Sequence, residues 1–297
     1  MLEEFINYYG KAKKMQELKF EGKTWNESDV NDDLVWNIPI YDVVNRKYAA
    51  FSSLLEAINK KELDPKGNGI YFLDTELDDS SFMFLCYLFR LCGSGINYKP
   101  RDIKPWGSHG FGNFYVIDLL RDGITDPVYW INGVPDKGFC DVKGYLLPMI
   151  PKGLKNFIIE DSLILFNDII NEVQQGGYSI TDVVDLGNHW LRSRGFKRQN
   201  FVLTAFAMDL AEYYPSLVNQ DSDVYVGSNA SKCLKMILPN MKKNDALRYL
   251  CKITGGHSKP YDMEDVACDF IRYINNFQSI DHVKHNNNIK YENNVLK

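Results

Sequence analysis

The sequence predicts a mainly α-helical protein, a single multi-helix domain over residues 1–280 with a short irregular or β insertion in its middle. Three observations predict it. Apolar residues recur at helical spacing along most of the chain. Helical runs stop at Gly or Pro and start at small polar residues. No linker or internal repeat separates one run from the next.

The elements follow in order. Phe5, Tyr8, Tyr9 and Ala12 form one stripe near the N-terminus, and Phe51, Leu54, Leu55 and Ile58 form another. "SSFMFLCYLFRLCG" is apolar nearly all round, which predicts a buried central helix capped by Gly93. "GFGNFYVIDLLRDG" restarts as a helix near Asn113 and stops at Gly123. Residues 124–155 are rich in Gly and Pro and read as short strands or irregular loop. Helices resume in "EDSLILFNDIINEVQQGG" and in "SITDVVDLGNHWLRSRG", where Ser179 and Asp182 have capping-box spacing. "QNFVLTAFAMDLAEYYP", "SNASKCLKMIL", "KNDALRYLCKITGG" and "DMEDVACDFIRYINNF" supply four more. The polar, Asn-rich tail 281–297 is expected to stay disordered.

Composition narrows the function classes. The chain has 297 residues, 45% hydrophobic, which is ample for a core. A net charge of −5 gives no global positive field, so any nucleic-acid contact must come from a local basic patch. Cys86, Cys92, Cys140, Cys233, Cys251 and Cys268 are scattered without a CxxC pair. That spacing points to reduced core cysteines rather than a zinc site or disulfide framework. The first twenty residues are amphipathic and charged, unlike a signal peptide. No apolar run approaches the ~20 residues of a membrane span. The expectation is a soluble cytoplasmic protein that needs no cofactor and no metal.

Four places carry chemistry. In the first, residues 93–113, the glycine clusters "GSG" (Gly93, Ser94, Gly95) and "GSHGFG" (107–112) flank Asn97, Tyr98, Lys99, Arg101, Lys104 and Trp106, with Arg90 just before them. Neither cluster has the GK[ST] of a P-loop. The second opens a predicted helix, where backbone N–H groups favour an anion, with Gly110 and Asn113 closest to its start. Tyr98 and Trp106 among cations suit a base stacked beside a phosphate. His109, held in mobile backbone, suits a general base or a phosphate donor. A surface loop whose aromatics cover the core explains the same residues.

In the second place, a β-like run Val224–Val226 leads into Gly227, Ser228 and Asn229 and then a helix with Lys232. This is an anion cradle of the helix-hairpin-helix kind, or Ser228 or Asn229 is simply an N-cap. In the third, Asp209 lies in an otherwise apolar helix and shares a face with Tyr213, while Glu264, Cys268 and Arg272 line another helix. A carboxylate there is paired, or it faces a cleft as a base. In the fourth, "HWLRSRGFKRQN" gathers Arg192, Arg194, Lys197 and Arg198 around Gly195, either a solvated helix end or a clamp on backbone phosphates.

"FRLCGSGINY…HGFGNF", "TAFAMDLAEYYP", "VYVGSNASKCL" and "DMEDVACDFIRYI", in that order, resemble the phage enzymes of thymine hypermodification. These are the amino acid:DNA transferases and the α-glutamyl- or putrescinyl-thymine pyrophosphorylases. The likeness runs from Phe82 to Tyr273. It implies a helical, DNA-glycosylase-like fold acting on 5-pyrophosphoryloxymethyl-uracil in DNA. An amino acid or polyamine would displace the pyrophosphate from the 5-methylene carbon. The resemblance brings no catalytic assignment. The residues themselves suggest Arg90, Lys99, His109 and Lys232 for phosphates, Tyr98 and Trp106 for the base, and Asp209 and Glu264 for the amine. The partners are then DNA carrying a modified thymine and a small amine; a membrane is not among them. A non-catalytic DNA-binding module and a glycosylase-like hydrolase stay open beside the transferase.

Overall fold

A computed structural model describes residues 1–21, 23–36, 44, 79–92, 157 and 161–275. Within them lie α1 (Leu2–Phe20), a 3-10 turn (Trp25–Glu27), α2 (Asp33–Trp36), α3 (Asp79–Cys92), α4 (Leu163–Val173), α5 (Ile180–Ser193), α6 (Asn200–Tyr213), α7 (Ser228–Ile237), α8 (Lys243–Ile253) and α9 (Pro260–Ile274). The mainly helical class predicted from periodicity is therefore observed. Among the described residues the only β pairing is an isolated bridge between Tyr178 and Val218. The predicted helix after Asn113, the Phe51 stripe, the 124–155 insertion and the tail lie outside the described residues. No helix among the described residues is long and apolar enough to cross a membrane.

Several helix ends are written in local chemistry. The Ser179 hydroxyl accepts from the Asp182 N–H at 3.0 Å, and Asp182 accepts the Ser179 N–H at 2.8 Å, so the predicted capping box forms. After α5, Gly195 takes φ +79, its N–H donates to Arg192 O, and the Phe196 N–H donates to Leu191 O. These two bonds make a Schellman stop, which needs a residue that tolerates positive φ. α8 stops in the same way, with Gly255 and Gly256 both at positive φ and the Gly256 N–H on Cys251 O.

The chain divides into two compact units, one of Met1–Ser53 with Gln220–Val295, the other of Leu54–Asn219 with Leu296–Lys297. In the first, α9 packs against α7, α8 and α1. Phe5, Tyr8, Leu234, Leu247, Met263 and Phe270 belong to its core, and the Phe5 and Phe270 rings meet edge to face at 5.3 Å. The Phe5–Tyr8–Tyr9–Ala12 stripe is buried, as its spacing predicts. Residues 224–226 form no strand, contrary to expectation. The Asn244 side chain instead accepts the Val224 N–H at 2.9 Å and donates to its carbonyl at 3.3 Å, standing in for a neighbouring strand.

In the second unit α6 is the centre, packed by α3 and α5 and buried at every position from Val202 to Ala211. α3 is also deeply buried, through Phe82, Met83, Phe84, Cys86 and Tyr87. Gly187 on α5 makes a close approach to α6 possible. A Cβ there would lie 2.7 Å from both methyl carbons of the buried Leu203 and 3.2 Å from Ile169. Overpacking of this kind costs about 1–3 kcal/mol. Gly187→Val should lower unfolding stability by that amount in urea titrations, whereas an unchanged midpoint would show that α5 and α6 separate freely.

Candidate functional site

Arg90 and Asp209 meet across the α3–α6 contact. Arg90 Nε donates to Asp209 Oδ2 at 2.6 Å, and its Nη2 donates to Oδ1 at 2.5 Å. The carboxylate side chain is 1% exposed and the guanidinium 10%. The sequence reading gave these residues separate tasks, phosphate for one and amine for the other; the fold makes them one forked ion pair. Tyr213, one turn further along α6, also reaches α3, where its ring meets Phe82 edge to face at 5.2 Å. Breaking a buried pair from one side strands a charge and costs about 3–5 kcal/mol, while replacing both members by apolar groups is near neutral. Arg90→Met and Asp209→Asn should each destabilise by that amount, and Arg90→Met/Asp209→Leu should recover most of the loss in denaturant midpoints.

The other carboxylate lies in the first unit. Glu264 on α9 is buried and accepts the Gly227 N–H at 2.8 Å, so the first cap of α7 rests on a side chain of the same protein. Gly227 is the N-cap, correcting the choice of Ser228 or Asn229, and it has no side chain of its own to cap the helix. A Cβ on Gly227 would stand 3.2 Å from the same carboxylate oxygen. Burial pushes Glu264 up to about 8, with nearby Asp265 adding to the rise and the Gly227 N–H opposing it. Asp269, five residues along α9, is raised by burial although Arg272 donates to it at 2.6 Å. Asn229 is half-buried beside this junction, and Ser228 and Lys232 are exposed.

Linkage gives the Glu264 carboxyl a signature. Unfolded, it loses its proton near 4.5; folded, it keeps the proton to about 8. Its contribution to stability is thus whole below 4.5 and declines as pH rises toward 8, at up to about 1.4 kcal/mol per pH unit. Glu264→Gln, always neutral and still able to accept the Gly227 N–H, should gain on the wild-type protein over this window. Parallel pH profiles of unfolding for the two proteins would contradict the shift.

The α5–α6 turn has a different character. Arg192, Arg194, Lys197 and Arg198 are all exposed, as is His189. None of the four basic residues forms an ion pair among the described residues, where the salt bridges lie elsewhere. The backbone beneath them is firmly held. Asn188, buried on α5, accepts the Gln199 N–H at 2.9 Å and donates to the Asn200 side chain at 2.7 Å. Trp190 donates to Asp168 at 2.7 Å, stacks parallel to Phe196, and carries the Arg194 guanidinium 4.3 Å above its ring. The basic run was plain in the sequence, but Asn188 and Trp190 as its supports were not.

Gly93, Ser94, Gly95, Asn97, Tyr98, Lys99, Trp106, His109, Gly110 and Asn113 lie outside the described residues. Among those described, no cluster of His, Cys, Asp and Glu is placed to hold a metal. The Cys233 and Cys251 thiols are pushed up to about 12, chiefly by burial, which makes them inert core groups. Compared with known protein families, characterised proteins and solved structures, the chain matches none.

Proposed function

We propose that the protein is a DNA-modifying transferase that docks on the phosphate backbone through the α5–α6 turn. One observation carries the docking: four exposed cations, without acidic partners among the described residues, crowd a rigid turn of a protein whose net charge is −5. A cluster of like charges on one face attracts a polyanion, whose phosphates neutralise it with release of counterions. The chemistry rests on the sequence resemblance, and the DNA-glycosylase-like arrangement of helices belongs to the same proposal. An amine nitrogen bonds to the 5-methylene carbon of the activated thymine while the carbon–oxygen bond to pyrophosphate breaks. Pyrophosphate leaves with the electron pair, and the amine's proton passes to a base.

Glu264 suits that last task better than Asp209. Asp209 is committed to Arg90, whereas Glu264 can take a proton once it has lost its own, so a transfer that it serves should speed up as pH rises toward about 8. Lys232, exposed on the second turn of α7, remains a candidate for the departing pyrophosphate.

Incubating the protein with pyrophosphorylated DNA and candidate amines, followed by nucleoside mass spectrometry, tests the reading. A new amine-bearing nucleoside and free pyrophosphate are expected, and Glu264→Gln should abolish both. DNA binding without product would leave a binding module, and a released free base would indicate a hydrolase. Four phosphate contacts predict a log–log salt slope of about −3.6, reduced in magnitude by about 2 in Arg194→Ala/Arg198→Ala.

A further inference from the structure

Gln199 closes the α5–α6 turn as the N-cap of α6. It is 1% exposed, and neither its Oε1 nor its Nε2 has a hydrogen-bond partner. Among the described residues no other side chain has two buried polar atoms in this state. A buried amide without partners is costly, and native proteins seldom keep one that has no use. The turn itself does not use it. The Gln199 side chain makes no capping bond to α6. Its backbone is already held, with the N–H donated to Asn188 Oδ1 at 2.9 Å and the carbonyl accepting the Leu203 N–H at 3.0 Å. The neighbouring amide, Asn188, has both ends engaged within the protein, on the Gln199 N–H and on Asn200 Oδ1. A fixed backbone and an idle amide hold a donor and an acceptor ready for another molecule, which lowers the cost of ordering them on binding.

Position indicates which molecule. Arg198, immediately before Gln199, is exposed, as are Arg192, Arg194 and Lys197. The chain thus passes from a cationic surface to a buried amide within one residue. A nucleotide extruded from DNA has the same order, with its phosphates outside and its base inside the protein. An amide presents an acceptor beside a donor. A thymine-type base presents the complement on its pairing edge, with the N3–H donor beside the O4 acceptor. We propose that Gln199 reads that edge. Oε1 accepts the N3–H and Nε2 donates to O4, while the cations of the turn hold the flanking phosphates. A base still stacked in the duplex cannot reach a buried amide, so the reading applies to the extruded base alone. The proposal rests on the DNA reading given above and assigns within it the residue that selects the base. Gln199 has no part in forming or breaking the bonds of the transfer.

The test uses the full chain and two DNA duplexes, one with a central thymine and one with N3-methylthymine. Each base is set opposite an abasic site, so neither has a pairing partner to leave. Wild-type protein should bind the thymine duplex about tenfold more tightly, as befits a bidentate contact. Gln199→Met, similar in shape but apolar, should bind both duplexes alike and keep the wild-type salt slope. It should also unfold at a higher urea concentration than the wild type, because two buried polar atoms without partners are gone. Equal wild-type affinities for the two duplexes, or a preference that survives in Gln199→Met, would overturn the base-reading role and leave DNA docking standing. A Gln199→Met protein less stable than the wild type would show that the amide serves the fold, and would overturn the role as well. Absence of binding to DNA, or equal binding to heparin, would overturn the DNA reading itself, and the role of Gln199 with it.

Discussion

Each unit is built on a helix buried on nearly every side, and each such helix carries carboxylates. An ionised carboxylate in an apolar interior is expensive unless it is paired. This constraint shapes both units, which meet it differently. On α6, Asp209 recruits Arg90 through two parallel hydrogen bonds. The fork fixes distance and orientation together, so it sets how α3 lies on α6. On α9, Glu264 receives one backbone N–H and otherwise meets burial by holding its proton.

The two solutions differ in what they leave for chemistry. A forked ion pair is static, because opening it strands two charges. A carboxyl whose proton is held to near neutral pH is poised to exchange it. Glu264 touches the start of α7, so a change in its charge would also be felt at that helix terminus. The arrangement couples a titrating group to a packing junction in the first unit. At the α5–α6 turn of the second unit, packing and charge are separated. Aromatic stacking and the Asn188 bridge organise the α5–α6 turn from beneath, and the cations are left on the outside.

Much of the fold was legible in the sequence. The capping box at Ser179, the stop at Gly195 and the glycine pair after α8 all formed, because each involves hydrogen bonds between residues a few positions apart. The Phe5–Tyr8–Tyr9–Ala12 stripe was legible for a similar reason, since a helix repeats every 3.6 residues. The β-like run at Val224 was misread. Its residues favour extended backbone, but a strand also needs a partner, and Asn244 supplied hydrogen bonds to Val224 instead. "NFVLTAFAMDL" gave no clue that Phe201 faces water, since an unbroken apolar run has no polar face to orient it.

The sequence by itself determined the helical class, most helix ends and the basic character of the α5–α6 turn, all consequences of interactions within about one helical turn. Tertiary structure alone decided that Arg90 answers Asp209 across 119 residues, that Glu264 rests on Gly227 across 37, and that Gly187 admits Leu203. Those pairings depend on which helix faces meet, and residue spacing along one helix carries no record of its neighbour.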